Sequence, residues 1–144
     1  MKYLIKNGRV IDPANKIDDI LDILISDEKI EKIGKNIDAS NLVKLTMLDA
    51  QGLIVAPGLI DMHTHLREPG REDEETVLTG TRAAIKGGFT TVACMPNTEP
   101  PLDNPAIIKS LKEIIGRDAL CNIAIVGCAT EGRAGKRPTD FHKM

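Results

Sequence analysis

Leu59-Ile60-Asp61-Met62-His63-Thr64-His65-Leu66-Arg67-Glu68-Pro69-Gly70 is the stretch on which the fold turns. The apolar runs Leu53-Ile54-Val55 and Pro57-Gly58-Leu59-Ile60 lead into its histidines. Apolar residues that give way to polar ones and then to Pro-Gly read as a strand running into a loop. Alternate side chains of a strand share a face. His63 and His65 therefore point one way together with Asp61, while Ile60, Met62 and Thr64 point the other. Two neutral imidazoles on one face at a strand's end suit zinc, although histidines also stand at strand ends as ordinary polar residues. Arg67 follows in the loop, placed to hold an anion beside a metal.

The segments after this strand alternate in type. Glu72-Asp73-Glu74-Glu75 is expected to open a helix, its carboxylates complementing the helix dipole rather than binding metal. Its core face would be Val77, Leu78, Thr81, Ala84 and Ile85, and Gly87-Gly88 would close it. Thr90 to Met95 reads as a second strand ending at Pro96-Asn97. Asn104 is a suitable N-cap with Pro105 at the first helical position. Ile107, Ile108, Leu111, Ile114 and Ile115 then recur at helical spacing up to Gly116. Cys121 to Val126 reads as a third strand. Strand, helix, strand, helix, strand argues for a parallel α/β arrangement. Arg67 and Asn97 both fall just past the C-terminal ends of strands, where active-site residues of parallel barrels collect. Each also has a plainer reading, as a surface ion pair for Arg67 and as an Asx-turn for Asn97.

The segment before the strand is different. Residues 1–55 read as short strands and turns with nothing chemical among them. Asn7-Gly8 suggests a type I′ hairpin between Tyr3-Leu4-Ile5-Lys6 and Arg9-Val10-Ile11. Ile20 to Ile25 is expected to turn at Asp27-Glu28 into Lys29 to Ile33. Val43, Leu45 and Met47 alternate with polar residues, as on a half-buried strand. Two domains follow, a β module over 1–55 and an α/β domain over 56–144.

Composition sets the outer limits. With 42% hydrophobic and 28% charged residues in 144, the chain is globular rather than disordered. A net charge of -2 with scattered Lys and Arg argues against nucleic acid and membrane surfaces as partners. No Trp, one Tyr and two Phe leave no base-stacking platform. The first ten residues carry Lys2, Lys6 and Arg9 and lack a signal-peptide core. Cys94, Cys121 and Cys128 form no C-x-x-C pair and read as reduced, buried thiols of a cytoplasmic protein.

Ala56 to Gly70, Gly87-Gly88-Phe89-Thr90-Thr91 and Met95-Pro96-Asn97-Thr98 together resemble the signature of dihydroorotases of the long bacterial form, in the amidohydrolase superfamily. The resemblance runs over all 144 residues and implies the fold. The chain would be the first three strands of a TIM-type (β/α)8 barrel, preceded by part of a small β-sandwich domain. It implies that His63 and His65 bind zinc and that Arg67 and Asn97 bind the substrate carboxylate. Asp61 would orient the site or serve as a capping carboxylate, with Glu68 and Arg71 as loop residues. The family reaction is reversible cyclisation of N-carbamoyl-L-aspartate to L-dihydroorotate in pyrimidine biosynthesis. Allantoinases and hydantoinases are similar, but usually carry Asn or Asp where Arg67 stands and lack the Met95-Pro96-Asn97 form. A guanidinium grips an α-carboxylate in bidentate fashion, and an Asp would repel it.

The chain also departs from the family pattern. The remaining ligands and the catalytic aspartate lie beyond Met144, and His142 matches no family ligand. Pro138-Thr139-Asp140 reads as a helix start with about one turn to follow, which is unfavourable. These observations lead to the expectation of an N-terminal fragment, inactive and prone to associate by itself. Homo-oligomers, or association with aspartate carbamoyltransferase, are the expected assemblies. A non-catalytic dihydroorotase-like scaffold is the competing reading, and the intact H-x-H pair argues against it.

Overall fold

The computed structural model describes residues 1–143, and the chain divides into two compact units, one ending at Pro57 and the other beginning at Gly58.

The N-terminal unit is a five-stranded sheet. Its strands are β1 (Lys2–Asp12), β2 (Ile17–Ser26), β3 (Lys29–Gly34), β4 (Leu45–Asp49) and β5 (Ile54–Val55). The order is β3-β2-β1-β4, with β5 also pairing with β1. β2 is antiparallel to β1 and β3, whereas β4 and β5 run parallel to β1. Asp27 and Glu28, both with positive φ, make the tight turn between β2 and β3. Leu4, Leu24 and Ile37 form the buried cluster on one face.

Asn7-Gly8 does not turn a hairpin, contrary to the expectation from sequence. Residues 2–12 are one continuous strand with a register shift against β2 between Ile5 and Gly8. Asn7 takes the left-handed conformation (φ 63°) and donates its backbone N–H to Asp22 Oδ1 at 3.0 Å. Asp22 is 4% exposed and also accepts the Ile37 N–H at 3.0 Å. Gly8 is required by a close approach: a Cβ there would lie 2.6 Å from Val55 Cγ2. The dipeptide thus makes a bulge, held by residues far along the chain. Val43 and Met47 also depart from expectation. Both are exposed, and only Leu45 of the alternating set is half-buried.

The second unit is built from β6 (Leu59–Thr64), α1 (Val77–Lys86), β7 (Phe89–Cys94), α2 (Pro105–Asp118) and β8 (Asn122–Ile125). The three strands are parallel, in the order β6-β7-β8. Parallel neighbours need a crossover connection, and each helix supplies one. Leu66, Val77, Val92, Cys94, Leu102, Ile108 and Leu111 make the buried core. Side chains of this size each contribute about 1.5–3 kcal/mol when fully buried. Cys94 and Cys128 are buried, Cys121 is half-buried, and all three are free thiols. Burial pushes the Cys94 thiol above its ordinary pKa.

α2 follows its sequence signals at the start. Asn104 Oδ1 accepts the N–H groups of Ala106 and Ile107, and Pro105 opens the helix. Gly116 does not end it, and the helix runs on to Asp118. α1 starts later than the acidic cluster suggested. Thr76 and Thr79 form a reciprocal capping box, and the first turn holds no acidic residue. Val77 and Thr81 of its expected core face are buried, while Leu78 and Ile85 are exposed. Thr81 Oγ1 donates to Val77 O at 2.6 Å and accepts the Leu120 N–H at 3.1 Å. Pro138 bridges back to Thr130, and the residues after it form a turn instead of the expected helix. No helix among the described residues is long and apolar enough to cross a membrane.

Candidate metal and anion centre

β6 and β7 deliver the candidate residues at their shared C-terminal end. The last ladder pair is Thr64 with Cys94, and Met95 N–H donates to Thr64 O at 2.8 Å. Thr64 Oγ1 donates to Ala93 O at 2.9 Å, so the side chain opposite the histidines locks β6 onto β7. His63, inside β6, and His65, one residue past its end, have ring centroids 5.1 Å apart at 63°. The two imidazoles meet edge to face, and both residues are exposed.

Asn97 lies three residues beyond the end of β7. Its Oδ1 is 2.7 Å from His65 Nδ1. An amide oxygen only accepts, so this contact is a hydrogen bond when Nδ1 carries the proton and donates. Sequence reasoning placed both residues at strand ends but missed this contact. The signal lay in parallel neighbours, whose C-terminal ends set the following residues side by side.

Arg67 stands in the loop after β6 with φ 60°. Its Nε lies 3.0 Å from Glu74 Oε2. Glu74 also pairs with Arg71, and it is the main cause, with Asp73, that raises the Arg71 pKa above the ordinary guanidinium value. Arg67 therefore makes the ion pair of its plainer reading. One carboxylate engages at most two of a guanidinium's five N–H donors, so donors remain for an anion. Glu74 was read from sequence as part of a helix's first turn. Its role as an arginine clamp depends on how the loop folds back, which local spacing does not encode.

Asp61 takes the capping role: its Oδ1 accepts the His63 backbone N–H at 3.0 Å. Glu68 is more than a loop residue. It is 9% exposed, and its Oε2 accepts the Val77 N–H at 2.8 Å, tying the loop to the start of α1. The loops after β6 and β7 are also joined to each other, since Glu99 N–H donates to Pro69 O at 3.0 Å. His142 is exposed.

The donor set suits a borderline-soft divalent metal in type but not yet in number. Two imidazoles are present, one of them in contact through Nδ1 with Asn97 Oδ1. No group of three or more His, Cys, Asp or Glu that could hold a metal ion occurs among the described residues. Zinc normally takes three or four protein ligands.

The parallel β/α units place the chain in the mixed α/β class, and solved structures share this fold. It is similar to the L-hydantoinase (dihydropyrimidinase) of Arthrobacter aurescens, with a TM-score of 0.78 and 26% identity over 90% of this chain and 28% of that one. Residues 52–144 match the Dihydro-orotase-like family, and the chain belongs to that family. It is 51% identical over its whole length to a dihydroorotase of Elusimicrobium minutum, and 43% identical to one of Aquifex aeolicus. The chain spans about a third (33%) of the length of each of these curated relatives.

Proposed function

We propose that this chain supplies the first three strands of a (β/α)8 barrel in a zinc-dependent dihydroorotase, which interconverts N-carbamoyl-L-aspartate and L-dihydroorotate in pyrimidine biosynthesis. The observation that carries the reading is the meeting of His63, His65 and Asn97 at the C-terminal end of adjacent parallel strands. The similarity to dihydroorotases over the whole chain supports it.

In this reading His63 and His65 hold zinc through imidazole nitrogens. When bound, zinc supplies Lewis-acid polarisation of the amide carbonyl and lowers the pKa of water. Arg67, braced by Glu74, and the Asn97 amide N–H groups offer donors to the substrate's α-carboxylate. An anionic group bound there fixes the ring's orientation relative to the metal, which is the positioning that hydrolysis needs. Two imidazoles leave the zinc set incomplete, and in this reading residues 1–144 by themselves are inactive.

The likeness to the Arthrobacter aurescens hydantoinase favours one other reading, a hydrolase of hydantoin-type rings. Arg67 argues for a carboxylated ring instead. The test is a hybrid in which this chain replaces the matching N-terminal portion of the Elusimicrobium minutum relative, assayed on N-carbamoyl-L-aspartate, hydantoins and allantoin. Cyclisation of N-carbamoyl-L-aspartate alone is the expected result. A folded, zinc-loaded hybrid that opens hydantoins instead would overturn the proposal.

A further inference from the structure

We infer that Asn97 is a positioning residue for His65, fixing that imidazole in the Nδ1–H tautomer and leaving its own Nδ2 N–H groups to donate to a substrate. The inference deepens the proposed function and, for its metal consequence, rests on His65 being a ligand.

His65 Nδ1 and Asn97 Oδ1 are 2.7 Å apart, a short distance for a neutral hydrogen bond. Asn97 is half-buried, and the strand just before it, β7, is held to β6 by the Met95 N–H on Thr64 O at 2.8 Å and by Thr64 Oγ1 on Ala93 O at 2.9 Å. His65 is exposed and lies outside the β6 ladder, so the strand alone does not set its ring. His63 lies beside it at 5.1 Å between centroids and does not determine which nitrogen carries the proton. Asn97 is the group that does.

Two consequences follow from one bond. A free neutral imidazole favours the proton on Nε2, the nitrogen that must be bare to ligate a metal here. The amide oxygen reverses that preference before any metal arrives. It also engages one lone pair of Asn97 Oδ1, while the Nδ2 N–H groups make no hydrogen bond among the described residues. A side chain whose oxygen already serves His65 favours an acceptor, such as a carboxylate oxygen, for its N–H groups. The same residue thereby couples the metal ligand to the anion site.

The test is long-range ¹H–¹⁵N NMR of the full chain at about pH 8.5, above the ordinary imidazole range. Nitrogen shifts read the His65 tautomer directly and need no turnover. Zinc titration on the same samples reads affinity. The full chain is expected to hold His65 as Nδ1–H. Asn97→Leu, which keeps volume and loses the acceptor, is expected to move it toward Nε2–H and to weaken zinc binding by about 10- to 100-fold. Asn97→Asp, which keeps an acceptor, is expected to restore the tautomer. A His65 ring in the Nε2–H form in the unsubstituted chain, or one indifferent to Asn97→Leu while the fold's amide spectrum is retained, overturns the inference. If zinc binds through His63 and His65 and the tautomer ignores Asn97, the metal reading stands and this one falls. If the tautomer follows Asn97 but zinc never engages the two rings, the positioning role stands and the metal reading falls.

Discussion

A β-carbon on Gly70 would stand 1.6 Å from the carbonyl oxygen of Glu99. The contact brings together the loops that follow β6 and β7, the same loops that carry Arg67 and Asn97. Gly70 also has φ 98°, a conformation that side chains rarely adopt. Gly70→Ala is therefore expected to force the two loops apart and to destabilise the second unit by about 3 kcal/mol or more. Urea unfolding with a probe in this unit checks it, and an unchanged midpoint would contradict the role given to this contact.

Glu74 braces Arg67, and the planar guanidinium is the group suited to a carboxylate. Arg67→Lys in the hybrid enzyme is expected to raise KM for N-carbamoyl-L-aspartate by about 10- to 100-fold, the loss of a charged hydrogen bond. Glu74→Gln is expected to have a smaller effect in the same direction, since it loosens the arginine without removing it. Steady-state kinetics that left KM alone in both variants would remove Arg67 from the substrate site.

Two imidazoles are an incomplete zinc set. The 144-residue chain is expected to bind zinc weakly, to lose that binding in His63→Ala and in His65→Ala, and to show no cyclisation of N-carbamoyl-L-aspartate. Isothermal titration with the metal and a coupled activity assay check this. Stoichiometric tight zinc with normal turnover would mean that these residues suffice.

The N-terminal sheet has a pH dependence with a definite sign. Hydrogen bonds from Arg9 hold Asp18 below the ordinary carboxylate range, and Lys35 and Asn7 do the same for Asp19 and Asp49. A group whose folded-state pKa is depressed adds stability that is present above its unfolded value, about 3.9, and is lost as pH falls through the folded one. All three groups are exposed, so the effect is modest and screened by salt. Melting followed by circular dichroism is expected to show this unit weakening below about pH 4, less so in high salt. A sheet equally stable at pH 6 and pH 3 in low salt would contradict it.

The pairing of the two histidines at the candidate site was legible because it is written in strand periodicity. His63 and His65 two apart, and the Asn104-Pro105 start of α2, need only local rules. What sequence missed depends on residues brought from far away. Asn7-Gly8 looks the same in a hairpin as in a bulge, and the difference lies in Val55 and Asp22 approaching it. The acidic run at 72–75 has the composition of a helix start, but Thr76 and Thr79 cap α1 one step later, and Glu74 turns to the two arginines. Leu78 and Ile85 fit the helical stripe and are nonetheless exposed, since the edge of an amphipathic face is decided by which neighbours arrive.

Thr81 gives the second unit an order of events. Its hydroxyl serves both its own helix and a backbone group 39 residues further along. As the polypeptide leaves the ribosome, the first helix emerges well before Leu120 does. Its buried hydroxyl gains that second partner only after the next helix has been made and turned back, so the β6-α1 unit is finished by the β7-α2 unit that follows it.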